Sequence, residues 1–206
     1  MTESAGDGFV EHLAARGWPK LGPAPRRGDW MQTATGKQFW PLDPRPEEVD
    51  VVDIAFGLSK ICRYGGHTTR FYSVAEHSVL VAQALPKNLQ MYGLLHDASE
   101  AYLGDVIRPL KRFIPGYRDF EEAVMVAVCA HFGLTYPMPA AVKEIDNNIL
   151  LDEMVQVMKP APVPWHTQAA QELGHEPLGV EIQCWKPERA AEKFLEEFVH
   201  LGGTLS

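Results

Sequence analysis

The amino-acid sequence predicts an all-α fold: a compact helical bundle with an extended N-terminal arm and a C-terminal amphipathic helix. Apolar residues recur at helical spacing through the middle of the chain. The stretches with this period are separated by Pro and Gly residues, which end helices. We expect a single domain, with the arm over residues 1–48, a helical core over 49–160, and a C-terminal extension with its helix over 161–206.

The arm is rich in Pro, Gly and Arg from Gly17 to Pro46, which is typical of an extended segment packed on a body. We interpret Trp30, Phe39 and Trp40 as packing anchors rather than as a platform for a nucleobase, because large aromatic side chains are usually buried. The sequence leaves open whether the arm covers a site, seals a dimer or completes the core.

The core has clear helix boundaries. Ser73 and Glu76 have the spacing of a capping box, with Ser73 as the N-cap residue of a helix that ends before Pro86. A short connection to the next helix makes the two antiparallel neighbours. We predict helices over Val49–Lys60, Val74–Leu85, Asn88–Tyr102, Tyr117–Phe132, Pro139–Met158 and Pro187–Leu201.

Composition excludes several classes of function. A formal charge of −8 argues against extended binding to DNA or RNA, which needs many Lys and Arg contacts to phosphates. No apolar stretch approaches the roughly 20 residues that span a bilayer, and the N-terminus lacks the pattern of a secretory signal. The three cysteines are far apart, so they indicate neither a disulfide framework nor a thiolate metal site. We therefore expect a cytoplasmic protein without a membrane partner.

Polar residues interrupt the apolar faces of three predicted core helices. They are His77 on the first of these, the pair His96 and Asp97 on the second, and Asp146 on the last. A lone core histidine is usually satisfied by a carbonyl group, but buried charges on several helices are costly unless they share a counter-ion. Imidazole and carboxylate ligands without thiolates favour a divalent ion with coordination positions open to water and substrate.

These residues carry a resemblance. The motif VAEHS, ending at Ser78, the motif HDASE from His96 to Glu100, a Gly-Asp pair after it and a distant Asp together resemble the HD-domain phosphohydrolases. The chain is most similar to the branch that holds bacterial 5′-deoxynucleotidases and small phage deoxynucleoside triphosphate hydrolases. The resemblance covers about Cys62 to Met154 and implies a helical bundle with one divalent metal ion, which can be Mn, Co, Mg, Zn, Fe or Ni.

The resemblance also implies roles for individual residues. His77, His96 and Asp97 fall on three metal ligands, and Asp146 is preferred to Asp152 as the fourth. Further residues match family positions that take part in catalysis, namely Glu100 and Asp105, and positions that contact the substrate, namely Arg63, Tyr64, His67, Arg70 and Lys111. The family usually has Trp where this chain has Tyr64, which weakens any inference of strict selectivity for deoxyribose.

The function expected from the resemblance is hydrolysis of a nucleoside 5′-monophosphate, with deoxynucleotides preferred, to a nucleoside and phosphate. Three alternatives stay open: a deoxynucleoside triphosphate triphosphohydrolase, a nucleotide-binding regulatory module with little turnover, and an oxidative enzyme with two irons. Extra cations facing the site, such as Arg70, Arg108 and Arg112, would favour the triphosphate enzyme. Additional His or carboxylate ligands would be needed for a second iron. The sequence does not give the oligomeric state, although relatives commonly form homodimers.

Overall fold

The computed structural model describes residues 26–163 and 176–205. The first part of the predicted arm and residues 164–175 of the C-terminal extension lie outside these ranges. The described part of the chain is mainly helical, and none of its helices has the length and apolar character needed to span a bilayer. The α-helices are α1 (Val51–Lys60), α2 (Val74–Ala84), α3 (Gln90–Leu95), α4 (Glu100–Leu103), α5 (Arg108–Lys111), α6 (Tyr117–His131), α7 (Ala140–Gln156) and α8 (Pro187–His200).

The long helices begin and end close to the predicted residues. Asp50 caps α1 by accepting a hydrogen bond from the N–H of Val52, and Ser73 caps α2 by accepting one from the N–H of Glu76. The predicted capping box is only half formed, because the Glu76 carboxylate does not return to Ser73. It accepts hydrogen bonds instead from three consecutive N–H groups, those of residues 183–185.

The predicted helix Asn88–Tyr102 is wrong as a single helix. The segment has a 3₁₀ turn over Lys87–Leu89, then α3, then a turn over 96–99, and then α4. Across this break the N–H of Ala98 bonds to the carbonyl of Leu95, and the N–H of Glu100 bonds to that of Asp97. Bonds across three residues are typical of a tighter 3₁₀ turn. The turn carries His96 and Asp97 at the junction of two short helices.

The arm contains a small hairpin that the sequence did not predict. Strands β1 (Met31–Gln32) and β2 (Gln38–Phe39) pair antiparallel, and Phe39 is fully buried and stacked on Tyr102 with the ring centroids 3.8 Å apart. The interpretation of Trp30 as a packing anchor is wrong, because this side chain is 42% exposed. Trp30 precedes β1, whereas Met31, the first residue of the strand, packs against the core.

Helix α8 closes the bundle against α1 and α2. Phe194 and Phe198 on its inner face are buried in the main core, which also contains residues of α1, α2, α4 and α6. A second apolar cluster joins α2 to α7 and to the segment 176–186 that precedes α8. Two side chains of α7 hold this segment: Asp152 accepts from the N–H groups of residues 178 and 179, and Gln156 bonds to residues 180 and 182.

Gly93 sets the distance between α2 and α3. A Cβ atom at this position would lie 2.9 Å from the Cα atom and 3.1 Å from the backbone nitrogen of Ala82, and 2.5 Å from a methyl group of Leu85. Helix backbones cannot yield to such contacts without shifting. The absence of a side chain at Gly93 therefore allows α3 to lie close to α2, which brings His96 towards His77.

Replacing Gly93 with Ala should destabilise the fold by about 1–3 kcal/mol, because the added methyl group overpacks the α2–α3 contact. Urea denaturation followed by circular dichroism measures this change. The control is Val155→Ala, at a position of α7 that is 85% exposed, which should change the free energy of unfolding by less than about 0.5 kcal/mol. Equal stability of Gly93→Ala and the wild type would contradict the proposed role of this contact.

Candidate metal centre

Four side chains from three parts of the chain converge at one point. His77 lies on α2, His96 and Asp97 lie in the turn between α3 and α4, and Asp146 lies on α7. The Nε2 atom of His77 is 3.3 Å from Nε2 of His96, 3.2 Å from Oδ1 of Asp146 and 3.7 Å from Oδ2 of Asp97. The Nε2 atom of His96 is 3.2 Å from Oδ2 of Asp97 and 3.7 Å from Oδ1 of Asp146.

This arrangement fits a divalent cation. Ligand atoms held by bonds of about 2.1 Å lie roughly 3.0 Å apart at right angles and about 3.4 Å apart in a tetrahedron, and the observed separations are close to this range. His77, His96 and Asp146 form a group that can hold a metal ion, and His77 and Asp146 are buried. The donor set is nitrogen and oxygen, which suits several divalent ions without selecting one.

The hydrogen bonds at Nδ1 of the two imidazole rings direct their Nε2 atoms towards the point where the four side chains converge. Nδ1 of His96 donates to the carbonyl of Gly93 at 2.7 Å, and Nδ1 of His77 donates to Glu153 at 2.8 Å. In neutral rings the two Nε2 atoms are then acceptors, and they face two carboxylates. Burial lowers the pKa of His96, but the charges and hydrogen bonds of Asp97 and Asp146 outweigh this effect and raise the pKa well above its usual value. The site therefore attracts positive charge strongly.

Glu153 lies behind His77 and is completely buried. Its Oε1 atom accepts from His77 and from the hydroxyl of Tyr72 at 2.9 Å, and its Oε2 atom accepts from Arg63 at 3.1 Å and from the hydroxyl of Tyr64. Burial raises the pKa of Glu153, but the charge of Arg63 and the hydrogen bonds from His77 and Tyr64 outweigh this effect and lower it to about 2. Glu153 is thus an ionised carboxylate with all its partners in place.

Sequence reasoning missed Glu153, although a signal exists. It follows Asp146 by seven residues, or about 700° of helical rotation, so the two carboxylates share one face of α7. Asp146 contacts Nε2 of His77, and Glu153 contacts Nδ1 of the same ring. Asp152 is the alternative ligand considered in the sequence analysis. It lies one residue, or about 100° of helical rotation, away from this face and binds the segment before α8 instead.

Arg63 and Tyr64 lie beside the four donors. The Arg63 side chain is 12% exposed, its NH1 atom is 3.6 Å from Oδ2 of Asp97, and its Nε atom has no hydrogen-bond partner among the described residues. Tyr64 is held by Glu153 and has a positive φ of 56°, which is uncommon for a residue with a side chain. The expected contact of Tyr64 with a sugar stays a prediction.

Glu100 and Lys111 lie on the open side of the site. Glu100 is buried, and its Oε2 atom has no hydrogen-bond partner in the described part of the chain. Burial, together with the charges of Asp97 and Asp105, raises the pKa of Glu100 well above its usual value. Lys111 Nζ lies 3.9 Å from Oε1 of Glu100 and 2.5 Å from Oε1 of Glu121.

A cleft of about 360 Å³ opens in front of these residues. It is lined by His96, Asp97, Ser99, Glu100, Lys111, Arg118, Glu121, Glu122, Met125 and Tyr136. Arg118 and Glu121 were not singled out from the sequence, because they look like solvated residues of α6. Asp105, predicted as a second acid, is partly exposed, and burial, countered by Arg63, raises its pKa.

Other basic residues near the site divide into two groups. Lys143 Nζ lies 2.6 Å from Oδ2 of Asp146, and NH2 of Arg108 lies 3.9 Å from the same atom. The other two, His67 and Arg70, are exposed, and within the described ranges no contact joins either to the four donors. The charge of Arg70 acts on Glu76 and Cys184. The structure therefore brings Arg108 to the site, but not the two residues predicted as secondary phosphate contacts.

No protein-family model matches the chain. It is 39% identical over 124 residues to the uncharacterized protein YfdR of Escherichia coli strain K12, a match that spans 60% of this chain and 70% of that protein. It is 40% identical over 124 residues to an uncharacterized protein of Rhodobacter capsulatus, across 55% of this chain and 63% of the relative.

The two aspartates of α7 provide a matched pair for testing the site. Asp146→Asn should weaken binding of Mn²⁺ or Zn²⁺ at least about tenfold, because an amide oxygen replaces a charged ligand. Asp152→Asn should leave metal affinity unchanged and lower only the stability of the fold, since Asp152 binds backbone N–H groups. Isothermal titration calorimetry measures the affinities. Equal affinity of Asp146→Asn and the wild type would remove Asp146 from the ligand set.

Proposed function

We propose that this chain, which belongs to the family of the uncharacterized Escherichia coli protein YfdR, is a metal-dependent phosphohydrolase of the HD-domain type. Its substrates are (deoxy)nucleoside 5′-monophosphates, and its products are a nucleoside and phosphate. The observation that carries the proposal is the convergence of two imidazoles and two carboxylates beside an open cleft. A set of N and O ligands facing a cleft is typical of a catalytic rather than a structural ion.

The buried acid of the cleft supports hydrolysis. A bound divalent ion would polarise the phosphoryl group and make its water more acidic. The oxygen of water bonds to phosphorus, the bond from phosphorus to the 5′ oxygen breaks, and one proton of the water ends on that 5′ oxygen. Glu100 offers its free Oε2 atom for this proton transfer, and burial beside Asp97 and Asp105 raises its pKa, which favours the protonated form.

Two cations complete the expected binding site for phosphate. Arg63 lies 3.6 Å from Asp97, and Lys111 lies 3.9 Å from Glu100. Charge-assisted hydrogen bonds from both would offset the charge of a phosphate group, which an acidic protein otherwise repels. The resemblance stated above, in which both positions contact phosphate, points the same way.

Orthophosphate should be released from deoxynucleoside monophosphates in the presence of Mn²⁺ or Co²⁺, and Asp97→Ala should abolish the release. A colorimetric phosphate assay on ribo- and deoxynucleotides, with each metal in turn, measures this. Retained activity of Asp97→Ala would show that the phosphate comes from another source. A wild-type protein that binds metal but releases no phosphate from any nucleotide would instead favour a regulatory nucleotide-binding module.

Glu100→Gln should lower kcat by about 10²–10⁴, the range for loss of a general acid or base, while one metal ion per chain is still bound. Glu144→Gln, an exposed position on α7, removes the same charge away from the cleft and should leave kcat unchanged. Steady-state kinetics and elemental analysis of the purified variants measure both quantities. An unchanged kcat in Glu100→Gln would exclude Glu100 from the proton transfer.

One observation favours a second candidate, the removal of tripolyphosphate from deoxynucleoside triphosphates. Arg108 and Lys143 both approach Oδ2 of Asp146, on the side of this carboxylate away from His77. A triphosphate chain carries more negative charge than a single phosphate group, so it could use these two exposed cations in addition to Arg63 and Lys111. Arg108 was one of the residues whose position was expected to separate the two activities.

Chromatography of the products separates the two candidates, because it distinguishes orthophosphate from tripolyphosphate. We expect orthophosphate from monophosphates as the main product. If tripolyphosphate forms from triphosphates instead, the double variant Arg108→Met with Lys143→Met should raise the KM for the triphosphate at least about tenfold through the loss of two charge-assisted contacts. An unchanged KM would exclude the Arg108–Lys143 pair from binding a phosphate chain.

A further inference from the structure

A fully buried carboxylate outside the donor set receives four hydrogen bonds at the back of the site. Glu153 accepts from His77, Arg63, Tyr64 and Tyr72, so each of its four lone-pair directions has a donor. We propose that Glu153 is a positioning residue that orients a metal ligand, His77, and a phosphate contact, Arg63, at the same time. Binding of the ion and binding of phosphate are thereby coupled through one carboxylate. This inference rests on the proposed metal-dependent function.

The first half of the coupling concerns His77. An ionised carboxylate can only accept hydrogen bonds, so the contact of 2.8 Å requires the proton of the neutral ring to be on Nδ1. The lone pair of Nε2 then faces Asp146, His96 and Asp97. A carboxylate behind a metal-binding histidine fixes the tautomer and the ring orientation and makes the ligand more basic.

The second half concerns Arg63. Its NH2 atom is 3.1 Å from Oε2 of Glu153, and its NH1 atom is 3.6 Å from Oδ2 of Asp97. The guanidinium group therefore spans the distance between the buried carboxylate and the donor set. Because only 12% of the side chain is exposed, its rotamer is restricted before any phosphate arrives. Nε is also buried without a hydrogen-bond partner among the described residues.

Hydrogen bonds from Tyr64 and Tyr72 hold the Glu153 carboxylate in place. Tyr64 and Tyr72 donate one hydroxyl each, to Oε2 and Oε1 respectively, and neither hydroxyl adds charge to the cluster. A buried charge is tolerated when a partner of opposite charge and further hydrogen bonds satisfy its remaining lone pairs. Arg63 supplies the opposite charge. The carboxylate can then hold two functional side chains without moving towards either one.

A purely structural role for Glu153 makes a different prediction. A residue that only stabilises the fold changes the free energy of unfolding but not the affinity of the folded protein for the ion. The neighbour Asp152 is such a residue: it is equally part of α7, it is buried, and it binds the segment before α8. Asp152→Asn is therefore the matched control for Glu153→Gln.

The experiment measures binding to the full chain in three steps. Calorimetry gives the dissociation constants of Mn²⁺ and of Co²⁺ for the wild type, Glu153→Gln, Glu153→Asp and Asp152→Asn. The absorption spectrum of bound Co²⁺ reports the ligand geometry, and titration with inorganic phosphate of the Mn²⁺-loaded proteins gives the phosphate affinity. Glu153→Asp keeps the charge but shortens the side chain by one methylene, so it provides a test if Glu153→Gln does not fold.

We expect metal affinity to fall about 10–100-fold in Glu153→Gln, the range found when a carboxylate behind a metal-binding histidine is lost. Phosphate affinity should fall with it, and the Co²⁺ spectrum should change. Glu153→Asp should lose metal affinity as well, and Asp152→Asn should match the wild type in all three measurements. Unchanged metal affinity and spectrum in both Glu153 variants would overturn the inference while leaving the proposed function in place, whereas a wild type that binds no metal would overturn both.

Discussion

Two imidazoles and two carboxylates converge at one point in the protein, and much of the surrounding structure serves to hold them there. Two imidazole nitrogens and two carboxylate oxygens lie 3.2–3.7 Å apart along the measured pairs. Without a cation this arrangement is costly, because buried lone pairs and negative charges repel one another. The close packing of α2 and α3 at Gly93 brings two of the four donors together. Close packing that keeps polar groups in an energetically unfavourable arrangement is typical of a functional site rather than of a core.

Helix α7 shows how one element serves this site and the fold at once. Asp146 and Glu153 share a face and contact opposite edges of the His77 ring, while Asp152 points aside and holds residues 178 and 179. The same segment before α8 is also bound by Glu76, which lies next to His77 on α2. Glu76 and Asp152, which are next to His77 and Glu153 in the sequence, therefore hold the segment 176–186, which packs on the second apolar cluster. The stability of this segment and the position of the site both depend on α2 and α7.

The sequence predicts local features well and distant pairings poorly. Helix boundaries at Ser73 and Pro187 follow from capping groups and proline, which act on neighbouring residues. The partners of Glu76 lie more than 100 residues away, and those of Glu153 lie 76–90 residues away, so no local pattern indicates them. The break at residues 96–99 was missed because the apolar period of the segment continues through it. The hairpin was missed because each of its strands has only two residues.

The charges around the site imply an order of binding. Three cations near the donors already contact carboxylates: Arg63 lies by Asp97 and Glu153, Lys111 by Glu100 and Glu121, and Lys143 by Asp146. A phosphate group that arrived first would compete with these carboxylates for the same cations. A divalent ion bound first would neutralise Asp97 and Asp146, and would thereby weaken their hold on Arg63 and Lys143. Under the proposed function, the ion would therefore add its own attraction for phosphate in an otherwise acidic protein, and it would also release Arg63 and Lys143 to contact the phosphate group.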